Sequence, residues 1–114
     1  MNNETMPLED SLIFNQNSKY ILSLLNEEVS STSWFLPNGL HKIGRLPEKE
    51  IILDDITVSR HHAFITVDDE EISITDEEST NGIFINGELL TESTLKSGDR
   101  LQVGKFSLIV TKTD

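Results

Sequence analysis

Short apolar runs with a period of two dominate this 114-residue chain beyond residue 30 and limit the folds that it can adopt. The clearest run is His62 to Val67, in which every second side chain is aliphatic. The acidic segment 68–71 follows, and alternation resumes over residues 72–75. Period two on both sides of a polar turn predicts a β-hairpin, because successive strand side chains point to opposite faces. Helical spacing of apolar residues is hard to find in this part of the chain.

Turn residues separate the other apolar runs. Pro37 to Gly39 follows the run 34–36, and Asn86-Gly87 lies between segments 83–85 and 88–90. Asn-Gly is the commonest signal of a two-residue hairpin, since both central residues of a type I′ turn need positive φ. Many short strands with frequent turns favour an all-β sandwich of two antiparallel sheets over a helical or α/β domain.

One domain boundary is visible, near residue 19. Residues 1–18 mix Asn, Gln, Glu and Ser around a small apolar island without helical or strand period, so we expect a flexible N-terminal tail. Residues 19–114 are then a single domain, long enough to bury a core without a disulfide or metal. Cysteine is absent, which excludes disulfides and thiol chemistry and fits a reducing compartment.

Charge and hydropathy exclude several classes of partner. The first thirty residues lack the pattern of a secretory signal, and no apolar run approaches the roughly 20 residues of a membrane helix. We therefore expect a cytoplasmic protein without membrane insertion. Lys and Arg number 9 against 20 Asp and Glu, giving a formal charge of -11. The negative electrostatic field of such a chain disfavours binding to nucleic acids and anionic membranes, since proteins bind both mainly through clustered Lys and Arg side chains.

Polar residues of unusual type cluster in turns: Gly44-Arg45, Ser59 to His62 and Ser79 to Gly82, with Asn86-Gly87 shortly after. Loops from alternate connections of a sandwich emerge at the same end, so these segments are expected to converge. Arg supplies planar charged donors, hydroxyls supply short donors to phosphate oxygens, and an amide side chain binds a peptide's C=O and N–H together. The set therefore matches a phosphate monoester and the peptide backbone beside it.

In this order, the motifs G-R, S-R-x-H, S-T-N-G and N-G resemble the forkhead-associated (FHA) domain, a phosphothreonine-binding β-sandwich, over about residues 20–112. The resemblance implies partners that contain phosphothreonine. By this resemblance, Arg45 holds the phosphate group, and Ser59 and Thr80 hydrogen-bond to its oxygens. Arg60 adds positive charge at the rim of the site, and Asn81 binds the ligand backbone just after the phosphothreonine. The positions that it assigns to loop structure, without ligand contact, are Gly44, His62, Gly82, Asn86 and Gly87.

The segment 51–60 and residues 104–106 resemble the small single-domain FHA regulators of actinobacteria, which bind and inhibit 2-oxoglutarate dehydrogenase and adjust glutamate metabolism. In that subfamily a Ser/Thr protein kinase phosphorylates a tail threonine, and the tail then occupies its own FHA pocket. The resemblance implies Thr5 as the phosphorylation site, or Ser11, although only Glu4-Thr5 of the expected E-T-T-S-V-F pattern is present. The alternative is a phosphothreonine-dependent adaptor or scaffold in another kinase pathway, such as a secretion apparatus.

Metal-binding and catalytic interpretations are weaker. The acidic stretch 68–71 lacks the alternating ligands and central Gly of a calcium loop, so this stretch and 76–78 are predicted to be solvated turns. Ser59 and His62 lie three residues apart, but no nucleophile elbow and no orienting carboxylate accompany them. We therefore expect no enzyme activity, no cofactor and no metal. One departure from the FHA motif is Glu78, which stands where Gly often precedes S-T-N-G.

Simpler structural roles remain open for several polar residues. Ser59 and Thr80 are also suited to turn capping, and Asn81 is suited to a left-handed turn position. His41 and His61 have no assigned partner and are predicted to be surface residues.

Overall fold

The computed structural model describes residues 20–25 and 32–113, and that part of the chain contains eleven β-strands and no helix. In chain order the strands are β1 (Tyr20–Leu24), β2 (Ser33–Leu36), β3 (Gly39–Gly44), β4 (Ile51–Ile52), β5 (Ala63–Asp68), β6 (Glu71–Asp76), β7 (Ile83–Ile85), β8 (Glu88–Leu90), β9 (Glu92–Leu95), β10 (Arg100–Val103) and β11 (Phe106–Lys112). The predicted tail over residues 1–18, with Thr5 and Ser11, lies outside the described residues. No described helix is long and apolar enough to cross a membrane.

The strands form two sheets, which confirms the predicted all-β sandwich. A five-stranded sheet has the order β9-β6-β5-β3-β4, and a six-stranded sheet has the order β2-β1-β11-β10-β7-β8. One pair departs from the antiparallel pattern: β3 and β4 run parallel, with Ile43 opposite Ile51 and Gly44 opposite Ile52. Parallel pairing follows because the connection 45–50 folds back beside the end of β3 before β4 begins.

Alternating side chains from both sheets build the core. In the hairpin of β5 and β6, Ile65 lies opposite Ile74 and Val67 opposite Ile72, and all four side chains are buried. Each buried aliphatic side chain contributes about 1.5 to 3 kcal/mol relative to exposure. The predicted hairpin at Asn86-Gly87 is confirmed as well, since β7 and β8 pair across it and the two turn residues have φ of 51° and 87°.

Strand direction divides the connections between the two ends of the sandwich. Ile43 near the end of β3 pairs with Ala63 at the start of β5, which in turn pairs with Asp76 at the end of β6. The connections 45–50, 53–62 and 77–82 therefore meet at one end, which we call the site end. The turns at 69–70 and 86–87 follow strands that run away from it, and they belong to the far end.

Candidate functional site

Arg45 directly follows β3 and is partly buried at the site end. Its backbone N–H donates to the carbonyl oxygen of Ser59 at 3.1 Å, and its Nε donates to the carbonyl oxygen of Val58 at 2.9 Å. No other side-chain hydrogen bond of Arg45 is made within residues 20–25 and 32–113. The backbone thus orients the guanidinium group while leaving both terminal amino groups for a ligand, in the planar fork that matches phosphate oxygens.

Ser59 and Thr80 belong to different connections and are joined by a direct hydrogen bond. The backbone N–H of Thr80 donates to Ser59 Oγ at 2.9 Å. Ser59 Oγ is the acceptor there, so its own proton can be directed to another acceptor. Thr80 is exposed, and its hydroxyl group has no bond to another described residue. Two residues that carry hydroxyl groups are therefore hydrogen-bonded neighbours, and Ser59 is also bonded to Arg45 through its carbonyl oxygen.

His62 joins two of the three connections to each other and to the end of β3. Its side chain is fully buried. The backbone N–H of Ser59 donates to Nδ1 at 3.0 Å, which leaves the ring proton on Nε2 to be donated to the carbonyl oxygen of Gly82 at 2.8 Å. The backbone N–H of His62 also donates to the carbonyl oxygen of Ile43 at 3.0 Å. A buried neutral imidazole thus supports the loops of both Ser59 and Gly82.

Asn81 is tied to the connection 53–62 as well. Its Nδ2 donates to the carbonyl oxygen of Thr57 at 3.0 Å, while the residue as a whole remains exposed. The amide oxygen and the second amide hydrogen are left for a peptide backbone. We call the set Arg45, Ser59, Thr80 and Asn81 the loop cluster.

Asp55 organises the loop that supplies Thr57 and Ser59. Its carboxylate accepts from Thr57 Oγ1 at 2.7 Å and from the Thr57 backbone N–H at 3.0 Å, and it lies 3.3 Å from Lys105 Nζ. These hydrogen bonds from Thr57, aided by the Lys105 charge, lower the pKa of Asp55 from 3.8 to about 2. Thr57 Oγ1 in turn accepts from the Lys105 backbone N–H at 2.9 Å, which joins this loop to the turn after β10.

Ser79 and Asp76 shape the turn that presents Thr80. Asp76 accepts from Ser79 Oγ at 2.5 Å and from the Ser79 backbone N–H at 3.2 Å, and Ser79 Oγ accepts from the Gly82 backbone N–H at 2.8 Å. The prediction of a merely solvated turn is therefore wrong at Asp76. The spacing of Asp three residues before Ser could have indicated this turn from sequence. Side chains of both types commonly accept hydrogen bonds from nearby backbone N–H groups.

Two glycines allow close approaches at the site end. A Cβ on Gly44 would lie 2.1 Å from the carbonyl oxygen of Arg60, so only Gly permits this backbone contact. Gly82 has φ of 79°, and a Cβ there would lie 2.6 Å from Leu89 Cδ1. Glu78, at the position where the FHA motif often has Gly, adopts φ of 57° and so keeps the left-handed backbone without the usual residue.

The structure brings some predicted site residues together and separates others. Arg45, Ser59, Thr80 and Asn81 meet at the site end, and Arg60 lies exposed beside them. Asn86-Gly87 lies at the far end. There Asn86 Nδ2 donates to Asp99 Oδ1 at 3.1 Å, and the Arg100 backbone N–H donates to Asn86 Oδ1 at 3.0 Å. This turn stabilises the far-end loops and takes no part in the loop cluster.

Of the two histidines outside the motif, His41 was misjudged from sequence, whereas the surface position predicted for His61 is confirmed. His41 is 4% exposed, so its assignment to the surface is wrong. Its Nδ1 contacts both carboxylate oxygens of Glu50, at 2.9 and 3.0 Å, and its Nε2 lies 2.7 Å from the carbonyl oxygen of Pro37. His61 is exposed, but its Nδ1 lies 2.6 Å from Nζ of the buried Lys49. Sequence offers no signal for these pairs, because strand pairing and loop folding create them.

The chain matches the family model of the FHA domain over residues 41–104. It belongs to the FHA domain family. FHA domains bind phosphothreonine peptides. The matched region includes the loop cluster, and the strands outside it, β1, β2 and β11, complete the six-stranded sheet of this FHA domain.

Among related proteins, the glycogen accumulation regulator GarA of Mycobacterium tuberculosis is 36% identical over 80 residues, which are 70% of this chain and 49% of GarA. The oxoglutarate dehydrogenase inhibitor of Corynebacterium diphtheriae is 46% identical over 66 residues, which are 58% of this chain and 46% of the inhibitor. The chain thus spans about half the length of the curated relatives that it matches.

Among solved structures, an FHA domain from a study of phosphothreonine-dependent FHA domain interactions superimposes with a TM-score of 0.77 and 31% identity. The superposition covers 82% of this chain and 95% of that one. The similarity therefore extends over nearly the whole of that FHA domain.

Proposed function

We propose that this FHA domain binds phosphothreonine peptides through the loop cluster. The observation that carries the proposal is the fixed orientation of Arg45 beside Ser59 and Thr80. Its Nε is held by the Val58 carbonyl oxygen, and the two hydroxyl-bearing loops are joined by the hydrogen bond from Thr80 to Ser59. The ligand-facing donors are thereby ordered before a ligand arrives, which lowers the entropic cost of binding.

The expected affinity follows from the chemistry of a phosphate monoester. A phosphothreonine carries a charge near -2 and three acceptor oxygens, and each charge-assisted hydrogen bond contributes about 1.5 to 3 kcal/mol. Three such bonds from Arg45, Ser59 and Thr80, reduced by the cost of ordering a peptide, correspond to roughly micromolar binding. Arg60 adds positive charge from the rim, and Asn81 binds the peptide backbone after the phosphothreonine.

We further propose that the protein is a non-enzymatic regulator of 2-oxoglutarate and glutamate metabolism. The names of two relatives, glycogen accumulation regulator and oxoglutarate dehydrogenase inhibitor, support this role. The unmodified protein binds 2-oxoglutarate dehydrogenase or glutamate-metabolising enzymes through the site end. A Ser/Thr protein kinase then switches it off by phosphorylating Thr5 or Ser11, so that the phosphorylated tail occupies the loop cluster.

Chain length permits such a tail switch. The tail joins the domain at Tyr20, which pairs with Lys112 near the far end. The segment from Thr5 to Tyr20 can extend roughly 50 Å, at about 3.3 Å per residue, which exceeds the length of any strand of the sandwich. Tethering provides an effective concentration of the order of millimolar, enough to fill a pocket of micromolar affinity.

Binding is tested by calorimetric titration with a phosphothreonine peptide and its unmodified twin. We expect micromolar binding of the first and none of the second. Equal binding of both peptides would refute phosphate recognition. The regulatory role is tested by adding unmodified and kinase-treated full chain to 2-oxoglutarate dehydrogenase: we expect inhibition by the first alone. Phosphopeptide binding without any inhibition would favour an adaptor in another kinase pathway.

A further inference from the structure

Lys49 is a nearly buried cation beside the loop cluster, with an exposed fraction of 7%. Its backbone N–H donates to the Leu46 carbonyl oxygen at 3.1 Å, and its Nζ lies 2.6 Å from His61 Nδ1. An ammonium group only donates, so Nδ1 accepts and the ring carries its proton on Nε2. The partner of Lys49 is therefore a neutral imidazole, which satisfies one hydrogen bond but does not neutralise the charge.

Nearby carboxylates do not neutralise Lys49 either. Glu50 faces His41, with both oxygens within 3.0 Å of Nδ1. Glu77 lies 3.8 Å from Lys42 Nζ. No carboxylate oxygen of residues 20–25 or 32–113 lies within 4 Å of Lys49 Nζ. Burying a charge without a counter-charge is unfavourable, so binding of an anion to this ammonium group would lower the free energy of the complex.

An open cavity of about 460 Å³ gives access to this charge. It lies on the outer face of the five-stranded sheet and is lined by Leu40, Lys42, Glu48, Lys49, Glu50 and His61. Leu40 supplies an apolar wall and is 51% exposed. The cavity is large enough for one side chain of a bound peptide.

The cavity and the loop cluster are built on the same two connections. The connection 45–50 carries both Arg45 and Lys49, and the connection 53–62 carries both Ser59 and His61. At the junction, a Cβ on Gly44 would lie 3.2 Å from Lys49 Cε and 2.1 Å from the Arg60 carbonyl oxygen. Because His61 lines the cavity and directly follows the exposed Arg60, a peptide whose phosphothreonine contacts Arg45 and that continues past Arg60 would approach the cavity.

We propose that this cavity, the Lys49 subsite, receives a second anionic side chain of the same phosphopeptide. The ligand is a carboxylate or a second phosphate that binds Lys49 Nζ, with His61 positioning the ammonium group. This inference rests on the proposed function, since the phosphothreonine sets the register of the peptide. It makes Lys49 a specificity-determining residue that distinguishes acidic or doubly phosphorylated sequences from neutral ones.

The test uses the full chain and a phosphothreonine peptide with alanine at the flanking positions. Aspartate, phosphoserine or lysine is then placed at one flanking position at a time, on each side of the phosphothreonine, and affinities are measured by calorimetry. At one position we expect aspartate to raise affinity about five- to tenfold and lysine to lower it, because the pair is partly desolvated. The phosphoserine arm shows whether a second phosphate is preferred to a carboxylate.

Lys49→Met retains the packing of the stem and removes the charge, and Lys96→Met is the matched control at an exposed far-end position. We expect the gain from aspartate to vanish in Lys49→Met and to persist in Lys96→Met. If Lys49→Met does not fold, the side-chain ammonium resonance of Lys49 in the wild-type chain replaces it. That resonance should shift with the acidic peptide more than with the alanine peptide.

The outcomes separate the two proposals. If no phosphothreonine peptide binds, the proposed function fails. If the alanine peptide binds but no position gains from an anion, the Lys49 subsite is refuted while the proposed function stands. A gain that persists in Lys49→Met, or a Lys49 resonance that responds equally to both peptides, would also refute it.

Discussion

The backbone N–H of Thr80 donates to Ser59 Oγ at 2.9 Å across 21 positions of sequence. This bond joins the loop before β5 to the loop before β7, and both loops also bind the buried ring of His62. The Ser59 hydroxyl group and the Arg45 guanidinium group are therefore each held by a backbone group rather than by another side chain, while the Thr80 hydroxyl group is left for a ligand. The ligand-binding face is thus held in place although Thr80 and Asn81 are exposed.

Replacing Arg45 tests whether its planar fork is required. Lysine retains the charge, but its donors all lie on one nitrogen atom, so it cannot donate to the Val58 carbonyl oxygen from the Nε position and also present a planar fork to the phosphate. We expect Arg45→Lys to weaken phosphothreonine-peptide binding about tenfold or more, and Arg45→Ala about 100-fold, by titration calorimetry. Arg100→Lys, at an exposed position of β10, should bind like the wild type. Full affinity in Arg45→Lys would show that charge alone is sufficient.

Removing the Ser59 hydroxyl should loosen the Thr80 turn as well as weaken binding. Ser59→Ala deprives the Thr80 backbone N–H of its acceptor, at a cost of about 0.5 to 1.5 kcal/mol in the free energy of unfolding. Amide hydrogen exchange at Thr80 should become faster. Ser97→Ala is the matched control, since Ser97 Oγ accepts from the Lys112 backbone N–H at 3.0 Å at the far end. Ser97→Ala should lose a similar amount of stability but retain its affinity for the phosphothreonine peptide.

The lowered pKa of Asp55 predicts an acid-sensitive contribution to stability. Its carboxylate has a pKa of about 2 in the folded state, against 3.8 for an unperturbed aspartate, so folding favours the ionised form. The resulting stabilisation is fully present above pH 3.8 and is lost as pH falls toward 2. In urea unfolding, the stability difference between wild type and Asp55→Asn should shrink over that range. Asp54 is an exposed neighbour and serves as the control. If the stability difference between wild type and Asp54→Asn shrank over the same pH range, the assignment of the effect to Asp55 would be contradicted.

Glu78 adopts a backbone conformation that suits glycine, with φ of 57°. The left-handed region costs a side-chain-bearing residue about 1 to 2 kcal/mol, while glycine loses about 0.5 to 1 kcal/mol more chain entropy on folding. We expect Glu78→Gly to raise the free energy of unfolding by up to about 1 kcal/mol. Glu48→Gly, at an exposed turn position without positive φ, should lower it. If both variants lose stability equally in urea, the backbone explanation is wrong.

Motifs and periodicity predicted much of the molecule. The all-β sandwich and the hairpins at 68–71 and 86–87 follow from alternation and turn residues, which are local properties. The structure brings Arg45, Ser59, Thr80 and Asn81 to one end, as the order of the loops predicted. The parallel pairing of β3 and β4 was not predicted, because it depends on how the connection 45–50 folds back.

The strand pattern, the acidic charge and the residue types available for phosphate recognition follow from the amino-acid sequence, because they are local or compositional properties. The pairing of buried polar side chains, in contrast, depends on the three-dimensional fold. His41 meets Glu50 and Lys49 meets His61 through loop packing, and no local pattern encodes those distances. A buried charge without a carboxylate beside it depends on the whole fold, because burial and counter-charge are contributed by distant parts of the chain.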